Sequence, residues 1–201
     1  MKSLFYLISC SLFIIACSTE KKHPLGTENK TEEFMAPDTA YYIHEADSII
    51  KMTFDTLSST LKQKMAENGP HQSVAFCQLN AYPLTAMYQS EFIHVRRTSL
   101  KPRNPGNTPT DDEKKILEEW QKAWEQQNTP GYGFYTEEGK IHVMKPIFIQ
   151  PLCLNCHGKI KENIQDNTLQ VLDSLYPLDK ARDYTNGELR GGWHITFFVK
   201  D

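Results

Sequence analysis

The chain has 201 residues, enough for one domain with appendages, and with 39% hydrophobic and 11% aromatic residues it can bury a sizeable core. A charged fraction of 23% excludes a disordered composition. A net charge of −3, with no basic domain face, argues against a nucleic-acid partner.

Lys2 is followed by an apolar run from Leu4 to Ile15, too short for a comfortable membrane span and laid out like a secretory signal over residues 1–16. Its end, Ile14, Ile15, Ala16 and Cys17, resembles the lipobox of bacterial lipoproteins, in which the cysteine is lipidated and becomes the mature N-terminus. An uncleaved signal anchor is the alternative. Residues 17–39 are polar and lack periodicity, as expected of a flexible tether. The folded part, residues 40–201, is therefore expected outside the cytoplasm, in the periplasm or cell envelope of a bacterium. Acyl chains on Cys17 would hold it to the membrane.

From Ala40 to Glu67 apolar residues recur in steps of three and four (Ile43, Ala46, Ile50, Phe54, Leu57, Leu61, Met65), which predicts a long amphipathic helix stopped by Asn68, Gly69 and Pro70. Val74, Cys77 and Ala81 share one face of a second, short helix that Pro83 interrupts or restarts. The residues leave two readings open for Cys77: a small buried hydrophobe or a thiolate ligand to a metal. Phe92 to Ser99 alternates as a strand does and runs into a turn-rich loop ending at Pro109. Arg96, Arg97, Lys101 and Arg103 make this section locally basic, suited either to carboxylate pairing or to plain solvation.

Thr110 and Glu113 have the spacing of a capping box, and Ile116, Leu117, Trp120 and Trp124 form one apolar helix face behind them. Tyr132 to Tyr135 and Lys140 to Ile149 predict a hairpin. His142 and Met144 share one face of it, expected to be solvated, with a metal-ligand role as the alternative.

The hairpin delivers the chain to Cys153, Leu154, Asn155, Cys156 and His157, the C-x-x-C-H pattern of covalent c-type haem attachment. Each thiol adds across one haem vinyl, and the adjacent imidazole then falls on the iron. A structural zinc site would want a second Cys/His pair at ligand spacing, and none is present. A redox dithiol would sit near a βαβ unit, which the pattern does not suggest. With Cys10 in the signal, Cys17 lipidated and Cys153 and Cys156 on haem, Cys77 is the one thiol left over. Weak helical character follows from Ile160 to Tyr176, and then a terminal strand with Trp193, Ile195, Phe197 and Val199 inward.

The order of these pieces resembles the Tll0287-like family of haem-carrying domains. The resemblance is carried by Phe76 and Cys77 before Pro83, by Arg97 to Lys101 with Arg103, Asn104 and Pro105, by Pro151 to Gly158, and by Tyr184 with Gly187 to Gly191. It implies an α+β, PAS-like antiparallel sheet with flanking helices, including the long N-terminal one. It also implies haem c on Cys153 and Cys156, with His157 and Cys77 as axial ligands. Arg96, Arg97 and Arg103 are then candidates to hold the haem propionates. The functional expectation is an electron carrier with a redox partner whose identity is not legible. A haem-based redox or gas sensor is the alternative, acting through a partner because the sequence stops after the last strand. A six-coordinate iron leaves no open position for a substrate, so an enzyme is not expected.

Overall fold

The computed structural model describes residues 38–199. The signal segment, Cys17 and the tether up to residue 37 lie outside the described residues.

Helix α1 spans Thr39–Thr85 and starts where the Asp38 side chain accepts from the Tyr41 amide at 3.1 Å. At Gly69 the backbone leaves the helix (φ 73°, ψ 173°), a conformation in which glycine alone is comfortable. Pro70 then opens a second arm, at a position where a helix has no use for its missing N–H. The Ser73 hydroxyl donates back to the Gly69 carbonyl at 2.9 Å. Lys64 lies over the Phe76 ring at 5.8 Å, and the hydroxyls of Thr56 and Tyr88 meet at 3.3 Å. The two arms therefore run antiparallel, and the expected helix stop is the turn of a helical hairpin. Pro83, expected to interrupt the second helix, lies inside it.

A Cβ at Gly69 would meet nothing closer than 3.5 Å, so the turn requires glycine for its backbone angles alone. Gly69→Ala is expected to cost about 1–3 kcal/mol, seen as a lower urea midpoint. An unchanged midpoint would show that the turn accepts a side chain.

Strands β1 (Ile93–Thr98), β2 (Gly133–Glu137), β3 (Lys140–Phe148) and β4 (Leu189–Phe198) form an antiparallel sheet in the order β1-β4-β3-β2. One face packs Val95, Val143, Ile195 and Phe197 against Ala46, Ile49 and Ile50 of the first α1 arm. The other packs Met144 and Leu189 against Leu117 and Trp120 of helix α2 (Asp111–Glu125). With helices flanking an antiparallel sheet, the architecture is the α+β one expected. The capping box at α2 is formed: Glu113 N donates to Thr110 Oγ1 at 3.3 Å and Thr110 N to Glu113 Oε2 at 2.8 Å.

Three expectations need correction. His142 and Met144 are buried, because alternation sends them to the face opposite Val143 and α2 covers that face. Strand β4 begins at Leu189, ahead of Trp193, and Val199 is exposed beyond its end. Phe54 is also exposed, since Thr53 is the last buried residue of the first α1 arm.

Candidate functional site

Pro151–Cys153 form a short 3-10 turn that continues into helix α3, Leu154–His157. On this turn Cys153, Cys156 and His157 fall at helical spacings of three and four, so both thiols and the imidazole share one side. The segment behind them fixes the ring. Ala181 presents its carbonyl 2.8 Å from His157 Nδ1, and Tyr184 N donates to the His157 carbonyl at 3.0 Å. A carbonyl only accepts, so Nδ1 carries the hydrogen and Nε2 keeps its lone pair. Burial, followed by the charges of Arg103, Arg190 and Arg97, holds the His157 pKa well below its ordinary value. At neutral pH this imidazole is uncharged and presents a free lone pair at Nε2.

Arg103 braces the motif from outside. Its Nη2 donates to the Cys156 carbonyl at 2.5 Å and to the Ala181 carbonyl at 3.1 Å, and lies 3.1 Å from Asp179 Oδ2. Asp179 also takes Arg182 Nε at 2.8 Å and the Ala181 amide at 2.8 Å. Sequence reasoning missed Asp179, Ala181 and Arg190, although Arg190 stood within the family-like block. No local signal marks Asp179, which lies between Leu178 and Lys180 in sequence and meets Arg103 and Arg182 only in the fold.

The second α1 arm brings Cys77 to this motif. Val74 packs with Ile164 and Leu172, the latter on helix α4 (Asp166–Leu175), and Cys156 and Tyr176 pack against the same cluster. Burial raises the Cys77 pKa, while the charges of Arg97 and Arg103 oppose it. The Cys156 thiol is pushed up to about 11 by burial, with the neighbouring Cys77 and Cys153 thiols adding to the rise. Arg97 lies half-buried on the same side with little to hold. Its Nη2 makes one long bond to the Ala81 carbonyl (3.4 Å) and its Nε has no partner. Burial lowers its pKa to about 10.

Arg96 is placed elsewhere. As the neighbour of Arg97 in β1 it faces the α2 side, where it donates to the Thr108 carbonyl at 3.0 Å and lies 3.5 Å from Glu113. The structure thus gathers Cys77, Cys153, Cys156, His157, Arg97 and Arg103, and sets Arg96 apart. Among the described residues no group of three or more His, Cys, Asp or Glu side chains is placed to hold a bare metal ion. A haem iron asks only two ligands of the protein.

The fold is similar to that in the crystal structure of the cyanobacterial heme-protein Tll0287, with a TM-score of 0.51 and 20% identity over 83% of this chain and 98% of that one. At this identity the likeness is one of fold. No curated protein matches the chain in sequence. The sequence model of the Tll0287-like family matches residues 29–197, nearly all of the folded part and the whole of the site, and the chain belongs to that family.

Proposed function

We propose that this chain binds haem covalently through Cys153 and Cys156, takes His157 and Cys77 as axial ligands, and works as a lipid-anchored extracytoplasmic electron carrier. The observation that carries the reading is the convergence of a lone thiol, Cys77, on a C-x-x-C-H turn whose imidazole is already held in the iron-binding tautomer. When bound, haem supplies a one-electron redox centre. The protein's part is to hold it. Cys153 and Cys156 fix its edge, Ala181 orients His157, and α4 backs the arm that carries Cys77. Arg97, half-buried with no partner for its buried Nε, fits a propionate carboxylate; Arg103 is committed to the motif through Nη2, and its Nε too has no partner. Anchoring through Cys17 rests on the lipobox-like sequence. Among the described residues no helix is long and apolar enough to cross a membrane.

Expression with a c-haem maturation system is expected to give haem that survives denaturing electrophoresis. Cys77→Ala should keep that haem and change the EPR spectrum from that of a thiolate-ligated iron. Absence of covalent haem in the wild type overturns the reading, and an unchanged spectrum in the variant removes Cys77 as a ligand. A sensor is favoured by one observation: Cys77 rides on an arm of its own, set off from the rest of α1 by the Gly69 turn. A Soret band that shifts when carbon monoxide is added to the reduced protein would support this second reading.

A further inference from the structure

On the face of the sheet turned away from Cys77, Glu113, His194 and His142 form a buried chain of hydrogen bonds with one open end. Glu113 Oε2 accepts from the Thr110 amide (2.8 Å) and the Thr98 hydroxyl (3.1 Å), and Oε1 lies 2.5 Å from His194 Nδ1. A carboxylate only accepts, so His194 Nδ1 donates and its Nε2 is left as acceptor. His142 Nδ1, 2.9 Å away, supplies that hydrogen, with the Thr196 hydroxyl beside the junction. His142 Nε2 is then a bare lone pair, buried and without a hydrogen-bond partner. The acid nearest to it is Glu137, 3.6 Å away on an exposed residue at the hairpin turn.

We propose that this chain is a proton relay with its port at His142 Nε2, and that it makes reduction of the haem proton-coupled. The proposal rests on the haem reading above. A proton arriving from water at Nε2 forms one N–H bond there. His142 can then release its Nδ1 hydrogen to His194 Nε2, which moves the positive charge inward until it faces the Glu113 carboxylate. Other charged or titratable groups face the relay from each neighbouring element: Arg96 and His94 from β1, Asp112 from α2, Tyr135 and Glu137 from β2, and Lys140 from β3. Tyr135 stacks on His142 at 4.2 Å and roofs the port.

The two sites stand back to back. Consecutive residues of β1 serve them, Arg96 meeting Glu113 and Arg97 lying on the Cys77 side. Consecutive residues of β4 do the same, Trp193 lying 5.7 Å from the Arg97 guanidinium and His194 belonging to the relay. A charge placed on one face is felt on the other through a single layer of low dielectric. With haem bound, reduction would add one electron on the Cys77 side from a one-electron donor protein. One proton from water binds at the relay, and the net charge of the two sites together is unchanged. By reciprocity, lowering the pH raises the reduction potential.

The test uses the full haem-loaded chain, reduced with dithionite in a spectroelectrochemical titration at several pH values. The wild-type potential is expected to fall as pH rises through the range in which His142 titrates. In His142→Phe, which keeps the stack on Tyr135, and in His142→Gln, that slope should be lost. Imidazole nitrogen NMR of the wild type should show Nδ1–H tautomers for both His142 and His194 at alkaline pH. The same pH slope in both folded variants overturns the coupling. An Nε2–H tautomer at His194 overturns the relay itself. Chain lacking covalent haem overturns the haem reading and the coupling with it, a failure seen directly in the absorption spectrum and separate from the ring signals.

Discussion

Glu113→Leu is expected to destabilise the fold by about 3–5 kcal/mol, the usual range when one partner of a buried ionic network is removed. The side chain is fully buried and holds four groups: the Thr110 amide, the Thr98 hydroxyl, His194 Nδ1 and, at 3.5 Å, Arg96. Leucine keeps the volume and takes the shared partner from all four, although Arg96 keeps the Thr108 carbonyl, and it removes half of the α2 cap. Urea denaturation at pH 7 reads the loss, and a change below about 1 kcal/mol would mean the four groups find other partners. The loss should also depend on pH. Burial raises the Glu113 pKa, but the bonds from His194 and Thr110 and the nearby positive charges outweigh it, leaving the pKa below 4.5. A depressed carboxyl pKa contributes stability that is complete above 4.5 and disappears as pH falls through the folded value. Wild type and variant should therefore converge in acid. His142, whose pKa burial and His194 depress, adds a wild-type loss that begins below 6.5.

Arg103→Ala is the second large effect, and it should fall on both stability and haem loading. The side chain ties the Cys156 carbonyl, the Ala181 carbonyl and the Asp179 carboxylate together, and the Asp179 side chain is only 1% exposed. Asp179 keeps Arg182, so the expected cost is about 3 kcal/mol, below that of a fully orphaned buried charge. Ala181 also orients His157, so the imidazole loses its fixed bearing when the brace goes. Arg103→Lys restores the charge without the planar fork and should recover less than half of the loss. Covalent haem per chain and the denaturation midpoint measure the two effects. A variant with full haem and an unchanged midpoint would show that the brace is redundant.

Local chemistry made much of this legible. The Thr110/Glu113 box, the Gly69-Pro70 break, the β2–β3 hairpin and the C-x-x-C-H turn are each specified by residues within a few positions of one another. What escaped was the question of facing. Period-two alternation already separates Arg96 from Arg97, but nothing local says which side of β1 looks toward Cys77. His142 and Met144 read as solvated because α2, which buries them, lies some twenty residues earlier in the chain. The Arg103–Asp179 brace spans 76 positions and belongs to tertiary packing alone. The two arginines and the aspartate that meet there carry no periodic signature.

Strand order has a consequence for how the chain matures. β4 comes last in sequence yet lies inside the sheet, between β1 and β3. Until residues 189–198 are available, β1 has no partner and the β2–β3 hairpin has a bare edge. Closure thus depends on pairing between residues far apart in sequence, the kind of contact expected to form slowly. The Cys153–His157 segment precedes β4 in the chain, so both thiols are synthesised before the sheet can close. Attachment enzymes that need an extended, accessible substrate would have that interval in which to work. The same late strand carries His194, so the relay would assemble only after the proposed haem was in place.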